Sequence, residues 1–197
     1  MFNNFFVRLN KKQIIMFFGV TIIIAFVGTP FLGLYYFSFL FFFILFFTFG
    51  WYYSVGYFCN RIFSIGKSRY KFFIFFIYFI FIYLLILSIF AIIIFVPQIH
   101  ESARTLNHKH IEGPAFPDFM ITVLIILQLI LMVAIFYSHI YISRSIASIL
   151  IRKDSKFEDY SHIYFYLMII PVGFWFIQPK VNQIYERYLA EKEQHNE

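Results

Sequence analysis

Hydrophobic residues run along this chain in long charge-free blocks separated by short basic clusters. Positions 13–60, 72–100, 119–143 and 160–179 carry no Lys, Arg, Asp or Glu, which gives stretches of 48, 29, 25 and 20 residues. A helical membrane crossing needs about 20 apolar residues. As one helix the first block would be about 72 Å long, more than twice the hydrocarbon core of about 30 Å, so it has to turn within itself. Gly28, Thr29, Pro30 and Gly33 supply the break, because proline biases its predecessor away from helix and glycine tolerates turn geometry. The pattern predicts helices over about 14–29, 31–58, 72–96, 117–142 and 163–177, the third stopped by Pro97 and the fourth opened at Pro117. The fifth is short and contains Pro171 and Gly173. It reads as a short, tilted or kinked span, with a re-entrant helix as the alternative. The expected fold is all-α: one integral membrane domain over 1–197, a polytopic transmembrane helix bundle with four spans and a short fifth apolar helix.

Composition supports the same class. Of the 197 residues 61% are hydrophobic and 13% charged, and 32 are Phe. A soluble domain has about 45–50% apolar and about 25% charged residues; this chain has too little polar surface to face water all round. The lipid bilayer is therefore its expected solvent. A single cysteine, Cys59, excludes an internal disulfide and the paired spacings of zinc or thiol redox sites.

The net charge of +6 is distributed as membrane topology instead of as a nucleic-acid face. Arg8, Lys11 and Lys12 precede the first block, and Arg61, Lys67, Arg69 and Lys71 separate the second and third helices without an acid. Both regions are expected in the cytoplasm, which requires an even number of crossings between them and supports the hairpin at Gly28–Gly33. The loop of 97–118 has Arg104 and Lys109 against Glu101, Glu112 and Asp118 and is expected outside; Arg144, Arg152, Lys153 and Lys156 return the chain inside. The tail of mixed charge leaves the side of the C-terminus open. The first apolar block is too long for a cleavable signal and reads as an anchor.

Chemistry is sparse in these blocks. No ionisable carboxylate or cation lies at the centre of a span, which argues against an ion-coupled transporter, a proton pump or a voltage sensor. Gln128 and His139 are eleven residues apart, three helical turns, and could share a polar face with Met132 and Ile135. The outer loop brings together His100, Glu101, His108, His110 and Glu112, but no i, i+4 pair fixes a ligand geometry, so no metal is expected. No nucleophile motif, P-loop or dinucleotide fingerprint occurs, and neither a catalytic constellation nor a cofactor is expected. Gly50 with Ser54, and Ala134 with Ser138, have the small-xxx-small spacing of close helix contacts.

The most distinctive string is PVGFWFIQPKVN, from Pro171 to Asn182. It resembles the ending of a family of small uncharacterised bacterial multi-span membrane proteins, in which P-x-G-x-W-x-I-Q-P-K/R-x-N closes the last helix. The stretches Phe136–Ser145 and Phe157–Tyr160, and more loosely Trp51–Lys71, are similar to that family as well. The resemblance implies topology and no reaction. Read on its own chemistry, Pro171 and Gly173 permit a bend, Trp175 suits a headgroup interface, and Gln178 and Asn182 could hydrogen-bond if Pro179 opens a helical turn. Trp175 is accordingly expected to support folding more than Trp51, placed at the lipid-exposed base of the hairpin.

The expected protein is multi-pass in a bacterial inner membrane and non-enzymatic, a scaffold, sensor or membrane-effector subunit. Its partners are the bilayer and either a second copy or another membrane protein, not nucleic acid. A small channel or facilitator lined by Gln128 and His139 is the alternative, and an enzyme acting on lipid headgroups through the outer-loop histidines the third reading.

Overall fold

The structure, a computed structural model, describes residues 5–9, 12, 13, 16, 20, 21, 44–63, 66–104, 118–169 and 172–194. Among these residues there are only α-helices and the turns that join them. A short α1 covers Phe5–Arg8, α2 covers 44–62, α3 Lys67–Arg104, α4 Asp118–Ile151, α5 Phe157–Met168 and α6 Val172–Gln194. The all-α expectation holds. The hairpin at Gly28–Gly33 and nearly all of the first predicted helix lie outside the described residues.

Two helices are long and apolar enough to cross a membrane, α3 over Lys67–Leu87 and α4 over Thr122–Ile151. Only 22% of either apolar stretch is buried inside the protein, whereas the core helix of a soluble domain is mostly covered. Phe75, Ile82, Leu85, Ile125, Leu129 and Val133 all point outward. Of the four spans expected, these two have the length and composition required.

The long helices also outrun their predicted ends. α3 begins at Lys67 and continues through Pro97 to Arg104, and α4 runs on past Ile142 to Ile151. Charged residues mark where apolar surroundings stop, not where backbone hydrogen bonding stops, and one proline forfeits a single bond to the preceding turn. α4 is closed by a Schellman motif, with the Lys153 N–H donating to the Ser148 carbonyl at 3.2 Å and the Arg152 N–H to the Ile149 carbonyl at 3.3 Å. Its left-handed position, usually glycine, is Arg152 at φ 54°. That backbone conformation costs a residue with a Cβ roughly 1–2 kcal/mol.

Pairwise contacts fix the helix directions. Phe46 meets Phe81 at 5.4 Å between ring centroids, Phe73 stacks on Tyr141 at 4.4 Å and Phe76 meets Tyr137 at 5.2 Å. α2 and α4 therefore both run antiparallel to α3. At their crossing Gly56 makes room for the Phe73 ring, which a Cβ there would displace while pressing on Ile142. The inward face of α4 is a seam of Ala134, Ser138, Tyr141, Ser145 and Ser148, all buried. Small side chains there let backbones approach closely.

The predicted helix 163–177 does not exist as one element. The chain breaks between Met168 and Val172 and reverses, so that α6 runs back beside α5. Tyr166 stacks on Phe176 at 4.7 Å, and Lys180 Nζ lies 3.2 Å from His162 Nε2. Gly173 makes the reversal possible: its N–H donates to the Ile169 carbonyl at 2.8 Å, and a Cβ on it would collide with the Tyr166 carbonyl. A single kinked helix is excluded by this antiparallel pairing. The sequence could not distinguish the two because Pro171 and Gly173 serve a kink and a turn equally well.

Candidate functional site

The tip of the α5–α6 hairpin lies against α2 and α4, and a chain of buried polar side chains is concentrated there. His139 on α4 is buried, with Nδ1 2.7 Å from the Ile135 carbonyl and Nε2 3.0 Å from the Tyr52 hydroxyl and 3.1 Å from the Leu167 carbonyl. Each ring nitrogen faces a carbonyl, which can only accept, so a neutral ring donates to one of the two: to Ile135 with Nε2 accepting from Tyr52, or to Leu167 with the Tyr52 hydroxyl beside it. Leu167 belongs to the last turn of α5, whose carbonyls have no intrahelical donor. His139 thus joins α2, α4 and the end of α5 through one ring.

Gln178 makes the complementary junction on α6. Its Oε1 accepts from Trp51 Nε1 at 2.7 Å, and its Nε2 donates to the Leu9 carbonyl at 2.7 Å and to Asn182 Oδ1 at 2.9 Å. One acceptor and two donors are all used. The Leu9 carbonyl follows the end of α1 and is bound across 169 residues of sequence. Arg8 strengthens the same attachment, its Nε donating to the Tyr185 hydroxyl at 2.8 Å. Trp51 is fully buried, edge-on to Phe174 at 4.7 Å between centroids.

Many other polar groups are satisfied within the scaffold, whereas the buried Asn60 Oδ1 and Tyr141 hydroxyl have no hydrogen-bond partner among the described residues. Ser138, Ser143 and Ser145 each donate to the carbonyl four residues earlier, at 2.7–2.8 Å. Ser148 and Ser155 pair at 2.9 Å across the α4–α5 turn, where Arg144 grips Asp154 through both carboxylate oxygens at 2.8–2.9 Å. Lys156 N–H donates to the Asp159 carboxylate at 2.8 Å to open α5. Near the far end of the same hairpin, partial burial and the adjacent Lys180 charge both hold His162 below the ordinary imidazole titration range.

The candidate residues from the sequence separate into two groups. His139 and Gly173 meet the hairpin tip, while Gln178 and Asn182 lie further along α6 and bond to each other without Pro179 opening a new helix. Gln128 does not join them: it is exposed and accepts from the Tyr83 hydroxyl at 3.1 Å, so no continuous polar face links it to His139. Met132, between them, also faces outward. Pro179 is exposed inside α6 and opens no new helix, while Pro171 lies outside the described residues. Trp175 is 41% exposed, which reverses the expected ranking of the two tryptophans. Trp51 and Tyr52 were missed as site residues. Their N–H and O–H groups were the available signal, because a buried aromatic with a polar handle needs a partner.

No group of three or more metal-ligating side chains occurs among the described residues. His108, His110 and Glu112 fall outside them, and His100 and Glu101 lie on the backbone of α3 near its end. Cys59 is buried. Compared with known proteins, the chain matches no family model, no curated protein and no solved structure.

Proposed function

We propose that this is a multi-pass protein of a bacterial inner membrane, non-enzymatic, whose α5–α6 hairpin enters the bilayer from the basic, cytoplasmic side and returns there. It acts by interaction, as a scaffold, sensor or effector subunit held against a second copy or another membrane protein. The observation that carries the reading is the seating of the hairpin tip at His139, five residues and about 8 Å before Arg144, the first charge after the apolar stretch of α4. That is about a quarter of a hydrocarbon core of about 30 Å, so the hairpin dips into the core and does not cross it. The same geometry favours a cytoplasmic C-terminus, because α6 ends beside Arg152 on α4. Trp51 and Gln178 spend their hydrogen-bonding capacity on each other, on Asn182 and on backbone, and His139 on Tyr52 and backbone, which favours assembly over chemistry. The likeness of Pro171–Asn182 to the endings of small bacterial membrane proteins belongs to this proposal, as the signature of the hairpin.

Reporter fusions after Glu197 test it. A fluorescent protein fused there is expected to fluoresce and alkaline phosphatase to be inactive; active phosphatase defeats the re-entrant reading. Reconstituted protein is expected to conduct no ions, and a flux removed by His139→Ala would replace the interaction role with a facilitator.

A further inference from the structure

At the basic end the last turns of α2 and α4 and the second half of α6 leave a cavity of about 260 Å³ between them. Ile62, Ile149 and Ile184 form its apolar part, and Arg152, Arg187 and Glu191 its charged part. We propose that this cavity binds the phosphodiester headgroup of an anionic phospholipid, with the two guanidinium groups on the phosphate and the isoleucines against the glycerol and upper acyl carbons.

Three observations support it independently of one another. First, the lining combines aliphatic and cationic side chains in one cavity, the two chemistries a phospholipid presents at chain and headgroup. Second, two arginines share the lining with a single carboxylate, Glu191. The Arg152–Glu191 pair is long at 3.4 Å and both side chains are largely exposed, at 80% and 64%. Such a pair yields readily to a phosphate, which guanidinium binds through two parallel hydrogen bonds. Third, Arg152 stands at the left-handed position of the α4 terminus, where glycine would be unstrained. A long cationic side chain is kept there against a backbone preference, and strain of this kind concentrates at binding sites.

The inference rests on the membrane reading, because α4 places Ile149–Arg152 at headgroup depth only if it crosses a bilayer. Basic pockets between membrane helices on the cytoplasmic side suit anionic headgroups. Free phosphate shares the guanidinium chemistry but has no use for the isoleucine floor.

Native mass spectrometry of the purified full chain, titrated with phosphatidylglycerol, phosphatidylethanolamine and inorganic phosphate, tests the assignment. Phosphatidylglycerol is expected to be retained over phosphatidylethanolamine, and millimolar phosphate to leave it in place. Each of Arg152→Gln and Arg187→Gln is expected to weaken retention about fivefold, and the double variant about 25-fold. Arg152→Gly separates binding from folding: it relieves the backbone, so the melting temperature holds or rises while retention falls about fivefold. Unchanged retention in the double glutamine variant, or equal binding of phosphate and phosphatidylglycerol, overturns the proposal. Carbonate washing of membranes from expressing cells reports separately on the underlying reading. A chain that washes off defeats both, and one that stays but binds lipids without selectivity defeats only the headgroup site.

Discussion

The α3–α4 pair and the α5–α6 hairpin are held in place by different forces. The long helices present most of their apolar side chains outward, and the serines of α4 turn their hydroxyls back onto the helix itself. Their length and apolarity are those a bilayer crossing requires. The hairpin is shorter and more polar, and specific polar contacts hold it: Trp51 with Gln178 and Gln178 with Leu9 along α6, and His139 beside the Leu167 carbonyl at the tip. In lipid, apolar side chains gain little by meeting one another, so small residues and hydrogen bonds decide which faces meet. These polar contacts therefore specify the packing, while the apolar lengths specify only the solvent.

The two tryptophans give the largest test of that difference. Trp51→Ala removes a fully buried ring and the Gln178 donor together, and should destabilise the protein by about 3–5 kcal/mol, measured as thermal unfolding in detergent. Trp175→Ala, on an exposed ring, should cost less than about 1 kcal/mol. The reverse order would place the anchoring of the hairpin on its outer face. Gly173→Ala sets a Cβ against the Tyr166 carbonyl, and a loss of about 3 kcal/mol is expected. A neutral result would mean that α5 and α6 separate freely at the turn.

Smaller effects sharpen the contrast between the regions. Gln178→Leu leaves the Trp51 N–H and the Leu9 carbonyl without this partner and should cost about 2 kcal/mol. Gln128→Leu, on the exposed face of α4, should stay within about 0.5 kcal/mol. Equal losses from the two glutamines would erase the distinction. The weakest effect is on pH. His162 titrates lower in the folded chain than in the unfolded one, so the unfolded state takes up the proton first. Stability should be complete above the ordinary imidazole range and decline slightly as pH falls through it, and His162→Gln should flatten that slope.

Legibility followed the same division. The apolar blocks of α3 and α4 were readable because the bilayer imposes a minimum length on any crossing. Their ends were not, since helix continues past the apolar stretch wherever Ser143–Ile151 or Lys67–Lys71 can keep its backbone bonded. His139, Gly173, Gln178 and Asn182 stood out as polar or turn-forming residues in an apolar context. Their partners did not, because Trp51, Tyr52 and the Leu9 carbonyl are brought to them only by tertiary folding. Gly56 escaped notice for a related reason: its neighbours Phe73 and Ile142 come from two other helices.

The bond between Gln178 and the Leu9 carbonyl also sets an order of events during synthesis. Residue 9 leaves the ribosome early, and its acceptor then waits while the long helices are made and inserted. Only when α6 has emerged can Gln178 reach both that carbonyl and the Trp51 indole. Every intermediate before that moment carries an open notch beside Trp51 and Phe174's future position, and a chain cut short ahead of residue 178 can never close it. A single amide on α6 thus ties the segment after α1 to α2, and neither attachment exists until α6 is in place.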